Sequence, residues 1–352
     1  MELFQIFDLA MQKGASDIFI VPGRPISVKQ GRIFIPLADA CVMPETSELL
    51  IREAYAMADR DFSLLLDDGD DDFCISCPGK ARLRVSAYMQ RGSCAAVFRI
   101  ISFGIPDYKS LNIPEYVMAV ADENKGLTLI TGSAGNGKST TLACIIDRIN
   151  HTRMGHIITL EDPVEYLHRH DKCIISQREV SIDTKDYVTA LRASLRQAPD
   201  VILLGEMRDH ETISTAMTAA ETGHLVFSTL HTLGAENTVD RIIDSFPPEA
   251  QKQIRVQLAM VLNSVISQQL IPTLDGAFVP VFEVVHVNTA VRNLIREARV
   301  HQLDAMITAS RDSGMISMDD AIYELYRDGR ITRDTVLQYA LHPEFLKRRL
   351  NG

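Results

Sequence analysis

Residues 128–146 read TLITGSAGNGKSTTLACII, and inside them Gly132 to Ser139 spell GxxxxGKS. An apolar run leads into the glycines and an amphipathic run leads out, the strand, loop and helix setting that a phosphate-binding loop requires. Glycine lets consecutive backbone amides turn inward around phosphate oxygens, and the helix N-terminus adds partial positive charge. Lys138 then reaches the β and γ phosphates and Ser139 offers a hydroxyl to Mg²⁺. Gly132, Ser133, Ala134, Gly135, Asn136, Gly137, Lys138, Ser139 and Thr140 are therefore the candidate seat of ATP and Mg²⁺. A glycine turn without a ligand is the plain alternative, and it leaves Lys138 with little to do.

Downstream, apolar strands alternate with longer amphipathic helices. GLTLITG from residue 126 is followed by a helix from Ser139, then HIITLE, a helix near 184–197, DVILLGE, a helix near 210–222, and HLVFSTLH. This alternation predicts a mostly parallel sheet with helices on both faces. Tyr187, Ala190, Leu191, Ser194 and Leu195 make one helical stripe, with Pro199 just beyond it. After residue 288 the chain reads as short helices, with Asn288 or Thr289 and Ser317 as N-caps, the last paired with Asp320.

Upstream the period changes. Leu3, Ile6, Phe7 and Ala10 mark a helix ended by Gly14, and DIFIV follows as a strand. PISVKQGRIFIPL reads as two strands about Gln30–Gly31, and FCISC, ARLRVSAYM and CAAVFRII add three more. ISFGIPDYKSLNIPE loses periodicity and carries two prolines, as a linker does. The expected plan is an α+β domain over 1–100, a linker over 101–115, an α/β core over 116–287 and a helical region over 288–352.

The 352 residues are 46% hydrophobic and 23% charged, enough to build two cores. No apolar run of membrane-spanning length appears, and the acidic, amphipathic start is unlike a signal peptide, so the expected place is the cytoplasm. A net charge of −10 disfavours nucleic acid as a partner. The six cysteines form no disulfide framework, and Cys74–Cys77 lacks the second pair of a structural zinc site. Five acids between Asp67 and Asp72 read as a solvated hairpin turn.

Hydrolysis needs a group that orients the attacking water. Glu206 ends the apolar strand VILLGE and so emerges at the carboxyl edge of the sheet, where ligands of such sheets bind. Many phosphate-loop enzymes place Asp before that glutamate, whereas this chain has Gly205. Glu161, Asp162 and Glu165, at the end of HIITLE, are the nearest acids to help hold the metal, so Ser139, Glu161 and Glu206 are the candidate metal set. His224 and His231 lie seven apart, which on a strand points them to opposite faces unless one lies beyond the strand end; a satisfied core histidine is the simpler reading of each. Arg82 and Arg84 share one strand face, with Arg99 on the next run. They are either a solvated face or arginines that complete a neighbouring subunit's site.

Taken in order, the phosphate loop, TLEDPVEY, LRQAPDVILLGEMRDHETISTAMTAAETGH and STLHT resemble the secretion-motor ATPase superfamily of type II secretion and type IV pili. The likeness runs from KGASDIFI near residue 13 to the C-terminal helices. It implies a hexameric ring of subunits, each with a PAS-like N-terminal domain and a RecA-like ATPase domain. It implies an aspartate-rich box at Glu161, Asp162 and Glu165, a catalytic Glu206, and a histidine box at His224 and His231. It casts Arg82, Arg84 and Arg99 as contacts to a neighbouring nucleotide. AVRNLIREAR, residues 290–299, is similar to a motif of pilus retraction ATPases, although Val291, Leu294 and Ile295 equally suit a packed helix. The implied protein is a retraction motor at the inner face of the membrane, acting on pilin through a platform protein. Extension, type II secretion and DNA-uptake motors share its catalytic residues. A nucleotide switch without sustained turnover and a nucleic-acid translocase are the alternatives of other classes.

Overall fold

The computed structural model describes residues 2–31, 33–77, 80–102, 104–310 and 314–351. The chain divides into two compact units: Met1–Gly104 with Glu165–Leu167, and Ile105–Val164 with His168–Gly352.

The first unit runs α1 (Leu3–Gln12), β1 (Asp17–Ile20), β2 (Ser27–Gln30), β3 (Ile33–Pro36), α2 (Pro44–Met57), α3 (Ser63–Asp68), β4 (Asp70–Cys77), β5 (Ala81–Gln90) and β6 (Ser93–Ser102). Its six strands form an antiparallel sheet in the order β3-β2-β1-β6-β5-β4. Leu3, Ile6, Phe7 and Ala10 are all buried, and a Glu2–Gln5 capping box closes the start of α1. Helices α2 and α3 are not part of the strand-based reading, although Pro44 opens α2 and Leu50, Ile51, Ala54 and Tyr55 bury one stripe. The Tyr55 ring lies 4.5 Å from Phe73 and Phe7 lies 5.3 Å from Phe98, centroid to centroid. Each such buried ring contributes about 1.5–3 kcal/mol.

The acidic run is not a hairpin turn. Asp67 and Asp68 end α3, Gly69 turns the chain at φ 82°, and Asp70 to Asp72 open β4. Nor is all of it solvated, because Asp71 accepts from Tyr55 Oη at 2.9 Å and from Arg60 Nε at 2.8 Å. An ion pair to a residue eleven positions away leaves no trace in local charge pattern.

The second unit begins at Ile105, and Ile113 is already in its core. It contains α4 (Glu115–Met118), β7 (Gly126–Thr131), α5 (Lys138–Thr152), β8 (Gly155–Glu161), β9 (Cys173–Glu179), α6 (Tyr187–Ser194), β10 (Val201–Leu204), α7 (His210–Glu221), β11 (Leu225–Leu230), α8 (Ala235–Asp244), α9 (Pro248–Val261), β12 (Leu262–Pro272) and β13 (Phe278–His286). Short helices α10 (Thr289–Arg296), α11 (Leu303–Ala309), α12 (Met318–Arg327), α13 (Arg333–Tyr339) and α14 (Pro343–Arg349) follow. The sheet order is β13-β12-β7-β11-β10-β8-β9, parallel except for β13 at the edge. Alternate residues of each central strand enter different cores. Leu160, Leu204 and Val226 pack with α6 to α11, whereas Ile157, Leu203 and Phe227 pack with α4 and α5. That division is why these strands read as unbroken apolar runs. Helices α12 to α14 pack on the far ends of β12 and β13 through Ile322, Val336 and Leu346. Asn288 caps α10 through Val291 N at 3.0 Å, and Ser317 caps α12 through Asp320 N at 3.2 Å.

Candidate nucleotide site

Strands β7, β11, β10 and β8 run in register and finish at one edge, so Gly132, His231, Glu206 and Glu161 all emerge there. The loop from Gly132 to Gly137 joins β7 to α5, and Gly137 sits at the helix N-cap with φ 80°. Only a residue without Cβ turns there at no steric cost. The Ser133, Ala134 and Gly135 rim is exposed, and Ser139 and Thr140 are half-buried in the first turn of α5. Lys138 is buried; its Nζ donates to the carbonyl oxygens of Gly132 at 2.6 Å and Ser133 at 3.1 Å. The ammonium is thus folded back over the mouth of its own loop.

From Lys138 the site continues sideways along the sheet edge. Lys138 Nζ lies 3.5 Å from His231 Nδ1, and His231 Nε2 lies 3.4 Å from Glu206 Oε2. Arg208 pairs with the other Glu206 oxygen. Burial pushes the Glu206 carboxyl up, but the Arg208 hydrogen bond and the charges of Arg208 and His231 outweigh it and hold it below the ordinary value. Glu206 is therefore ionised at neutral pH, able to accept a hydrogen bond from water. Arg208 escapes the sequence reading, although its place two residues beyond Glu206 in GEMRD was the available signal.

Gly205 is closely packed. A Cβ there would stand 2.8 Å from Tyr187 Oη and 3.2 Å from the Leu160 carbonyl oxygen, so a side chain at 205 requires Tyr187 to give way. Burial raises the Tyr187 pKa, and the charges of Asp162, Glu206 and Glu161 raise it further against the opposing charge of Arg208. Glu161 also takes Gln177 Nε2 at 3.4 Å. Glu165 belongs by its contacts to the first unit.

The two histidines part company. Neither lies within β11: His224 precedes it and His231 follows it, so the opposite-face argument does not apply. His224 Nδ1 contacts the Ala219 carbonyl oxygen at 2.9 Å, at the end of α7. It stands at the other edge of the sheet, about 20 Å from His231 at the rise of a strand. Arg82 and Arg84 do share one face of β5, and Arg99 joins them opposite Arg84 in the ladder, all in the first unit. Arg84 pairs with Asp72 at 3.6 Å and Arg99 with Asp17 at 3.0 Å.

A glycine loop on a helix N-terminus, a buried lysine and an ionised glutamate at one edge of a doubly wound sheet define a P-loop ATPase. Within that class, the chain belongs to the Type II/IV secretion system protein family, whose model matches residues 3–311. It is 40% identical to the type IV pilus retraction ATPase PilT of Pseudomonas aeruginosa over 348 residues, 98% of this chain and 99% of that protein. It is also 40% identical to the type IV pilus ATPase PilU of the same organism, over 97% of this chain and 89% of that one. A crystal structure of the pilus retraction motor PilT with bound ADP superposes with a TM-score of 0.91 at 42% identity, covering 99% of each chain.

Proposed function

We propose that this chain is the ATP-driven motor of type IV pilus retraction. It works as a homohexameric ring at the cytoplasmic face of the inner membrane, drawing pilin from the fibre through the platform protein. The observation that carries the reading is the contact series Lys138, His231, Glu206 at the sheet edge of a chain similar over 98% of its length to a retraction ATPase. Among the described residues no helix is long and apolar enough to cross a membrane.

In this reading the loop amides and the start of α5 hold the β and γ phosphates of ATP, and Lys138 exchanges its two carbonyl partners for phosphate oxygens. Glu206 exchanges Arg208 for the attacking water and orients it. His231, touching both Lys138 and Glu206, passes the state of one to the other. Bound Mg²⁺ supplies positive charge across the phosphates. Ser139 would hold it directly, and Glu161 and Glu206 through water. The Ser139 hydroxyl in the first turn of α5 and the carboxylates of Glu161 and Glu206 at the same sheet edge are oxygen donors, the kind Mg²⁺ takes. Asp162, next to Glu161 at the end of β8, and Glu165, three residues on in the sequence, complete the acidic box that the resemblance implies. Arg82, Arg84 and Arg99 serve a neighbouring subunit, the PAS-like unit of one protomer working on the RecA-like unit of the next. His224, at the other sheet edge, stands apart from this set within one chain. Nucleotide-driven opening and closing of the domains around the ring is the work stroke.

Cells lacking the gene test the direction of work: surplus surface pili without twitching motility support retraction, and bald cells identify an extension motor. In purified protein, Glu206→Gln keeps ATP binding and loses most turnover, while Lys138→Ala loses both. Near-normal hydrolysis by Glu206→Gln removes the role given to that carboxylate.

A further inference from the structure

Strand β12 lies beside β7, and the residues of β12 level with the phosphate loop are polar yet buried: Ser267, Gln268 and Gln269. Burying a primary amide costs free energy unless its bonds are made. Gln268 is 2% exposed, and its Oε1 accepts from Thr141 Oγ1 at 2.8 Å in the first turn of α5. A Cβ on Gly137 would stand 3.0 Å from Gln268 Nε2, and a Cβ on Gly132 would stand 2.3 Å from the Gln268 carbonyl oxygen. Two residues on, Leu270 N donates to Asn136 Oδ1 at 3.3 Å, within the loop. One residue of a neighbouring strand therefore abuts the first glycine of the loop, the last glycine of the loop and the helix that follows.

We infer that Gln268 is a positioning residue for the phosphate loop, holding from the side the curve in which the loop amides converge on the phosphates. The inference rests on the proposed nucleotide site and adds a residue that the GxxxxGKS pattern does not contain. Gln268 acts through Thr141 and the loop backbone. A leucine of similar volume would fill the same space, so the packing alone does not call for an amide. A glutamate at 268 keeps an acceptor for Thr141 but sets a negative charge beside the phosphates.

The test is steady-state ATP hydrolysis and fluorescent-ADP binding by the full-length protein, with concentration of active sites determined for each variant. Losing the one buried hydrogen bond between Gln268 and Thr141 corresponds to about a tenfold change in affinity. Gln268→Leu should raise KM for ATP and Kd for ADP about tenfold with kcat per active site within about threefold, the mark of lost uniform binding. Thr141→Val should match it, and the double variant should be no worse than either alone, because both remove one contact. Gln268→Glu should bind ADP more weakly than Gln268→Leu. A purely structural role lowers the thermal midpoint and the fraction of active protein while leaving KM and Kd alone, and that result overturns the inference. If Gln268→Leu does not fold, Thr141→Val and Gln268→Glu carry the test, and unchanged Kd in both overturns it equally. Lys138→Ala in the same assay separates the two levels. If it binds ADP normally the nucleotide site itself is wrong; if it loses binding while the Gln268 variants do not, only the role of Gln268 fails.

Discussion

Glu283 on β13 is 2% exposed, and its two carboxylate oxygens accept from Ala235 N at 2.8 Å and Met318 N at 3.3 Å, the first residues of α8 and α12. Two helix N-termini favour the anion, yet burial, with the charges of Asp304 and Asp319, pushes this carboxyl up to about 7. The folded state therefore holds its proton more tightly than the unfolded chain, whose value is near 4.5. A raised pKa gives stability that is complete below the unfolded value and lost as pH rises through the folded one. By that linkage about 2.5 kcal/mol of stability from this one group disappears between pH 5 and pH 8. Glu283→Gln is the perturbation. Its amide oxygen retains one of the two backbone donors and frees the other, a loss of about 1 kcal/mol that does not vary with pH. Urea unfolding of both proteins at pH 5, 6, 7 and 8 gives the difference in stability as a function of pH. Asp304, Asp319 and His342 are present in both proteins, so only their coupling to Glu283 enters that difference. It should move against the wild type by about 2.5 kcal/mol from the lowest pH to the highest. A difference constant to within about 0.5 kcal/mol across the series would mean that Glu283 is ionised throughout, and the reasoning from burial fails.

Gly132→Ala should abolish ADP binding, since its φ is +143° and the new Cβ would meet the Gln268 carbonyl oxygen at 2.3 Å; retained affinity in a fluorescence titration contradicts the loop geometry. Arg292, inside AVRNLIREAR, donates to the Ala259 and Met260 carbonyl oxygens at the end of α9. Arg292→Ala should destabilise by about 1–2 kcal/mol, and an unchanged thermal midpoint would show that this contact holds nothing. Burial raises the Asp71 carboxyl, but the Arg60 and Tyr55 hydrogen bonds prevail and leave it below the ordinary value near 3.8. Its contribution is present above that value and lost as pH falls through the folded pKa, so Asp71→Asn should flatten the acid end of an unfolding titration followed by circular dichroism. An acid limb identical to wild type excludes the pair as its source.

What the sequence discloses depends on where each residue finds its partner. Strands β7, β10 and β11 are legible because both faces bury aliphatic side chains, and the loop because its glycines adjoin a strand and a helix. The absence of Asp at position 205 is visible in the sequence, but what stands beside that position is not: the Tyr187 hydroxyl, 2.8 Å from where a Cβ would be, comes from α6. The spacing of His224 and His231 decides nothing about faces, because both lie just outside β11. Strand β12 is invisible to periodicity. Its Ser264, Ser267, Gln268 and Gln269 interrupt the apolar pattern, and their burial makes sense only beside the groups they bond. The acids of 67–72 show the same thing on the surface, where Asp71 is separated from its neighbours by Arg60 and Tyr55 alone.

The polar residues of β12 and β13 connect otherwise separate parts of the second unit. Ser267 Oγ lies 2.6 Å from Thr131 Oγ1 at the base of the phosphate loop and accepts from Gly234 N at 2.8 Å. Gly234 ends the short segment that begins at His231, and the next amide, Ala235 N, goes to Glu283, which also holds Met318 N of the C-terminal helices. A shift of His231 toward or away from Glu206 therefore pulls on a segment only three residues from a buried anchor. That anchor is shared with the phosphate loop on one side and α12 on the other. Buried polar contacts of this kind break at a cost if one partner moves alone, because the group left behind has no water to turn to. Apolar packing at the same positions would slide. In the proposed motor, that difference carries a change at the phosphates toward the C-terminal helices through Ser267 and Glu283, and Gln269, whose Nε2 donates to the Tyr339 carbonyl oxygen at 3.1 Å, ties the same strand to α13.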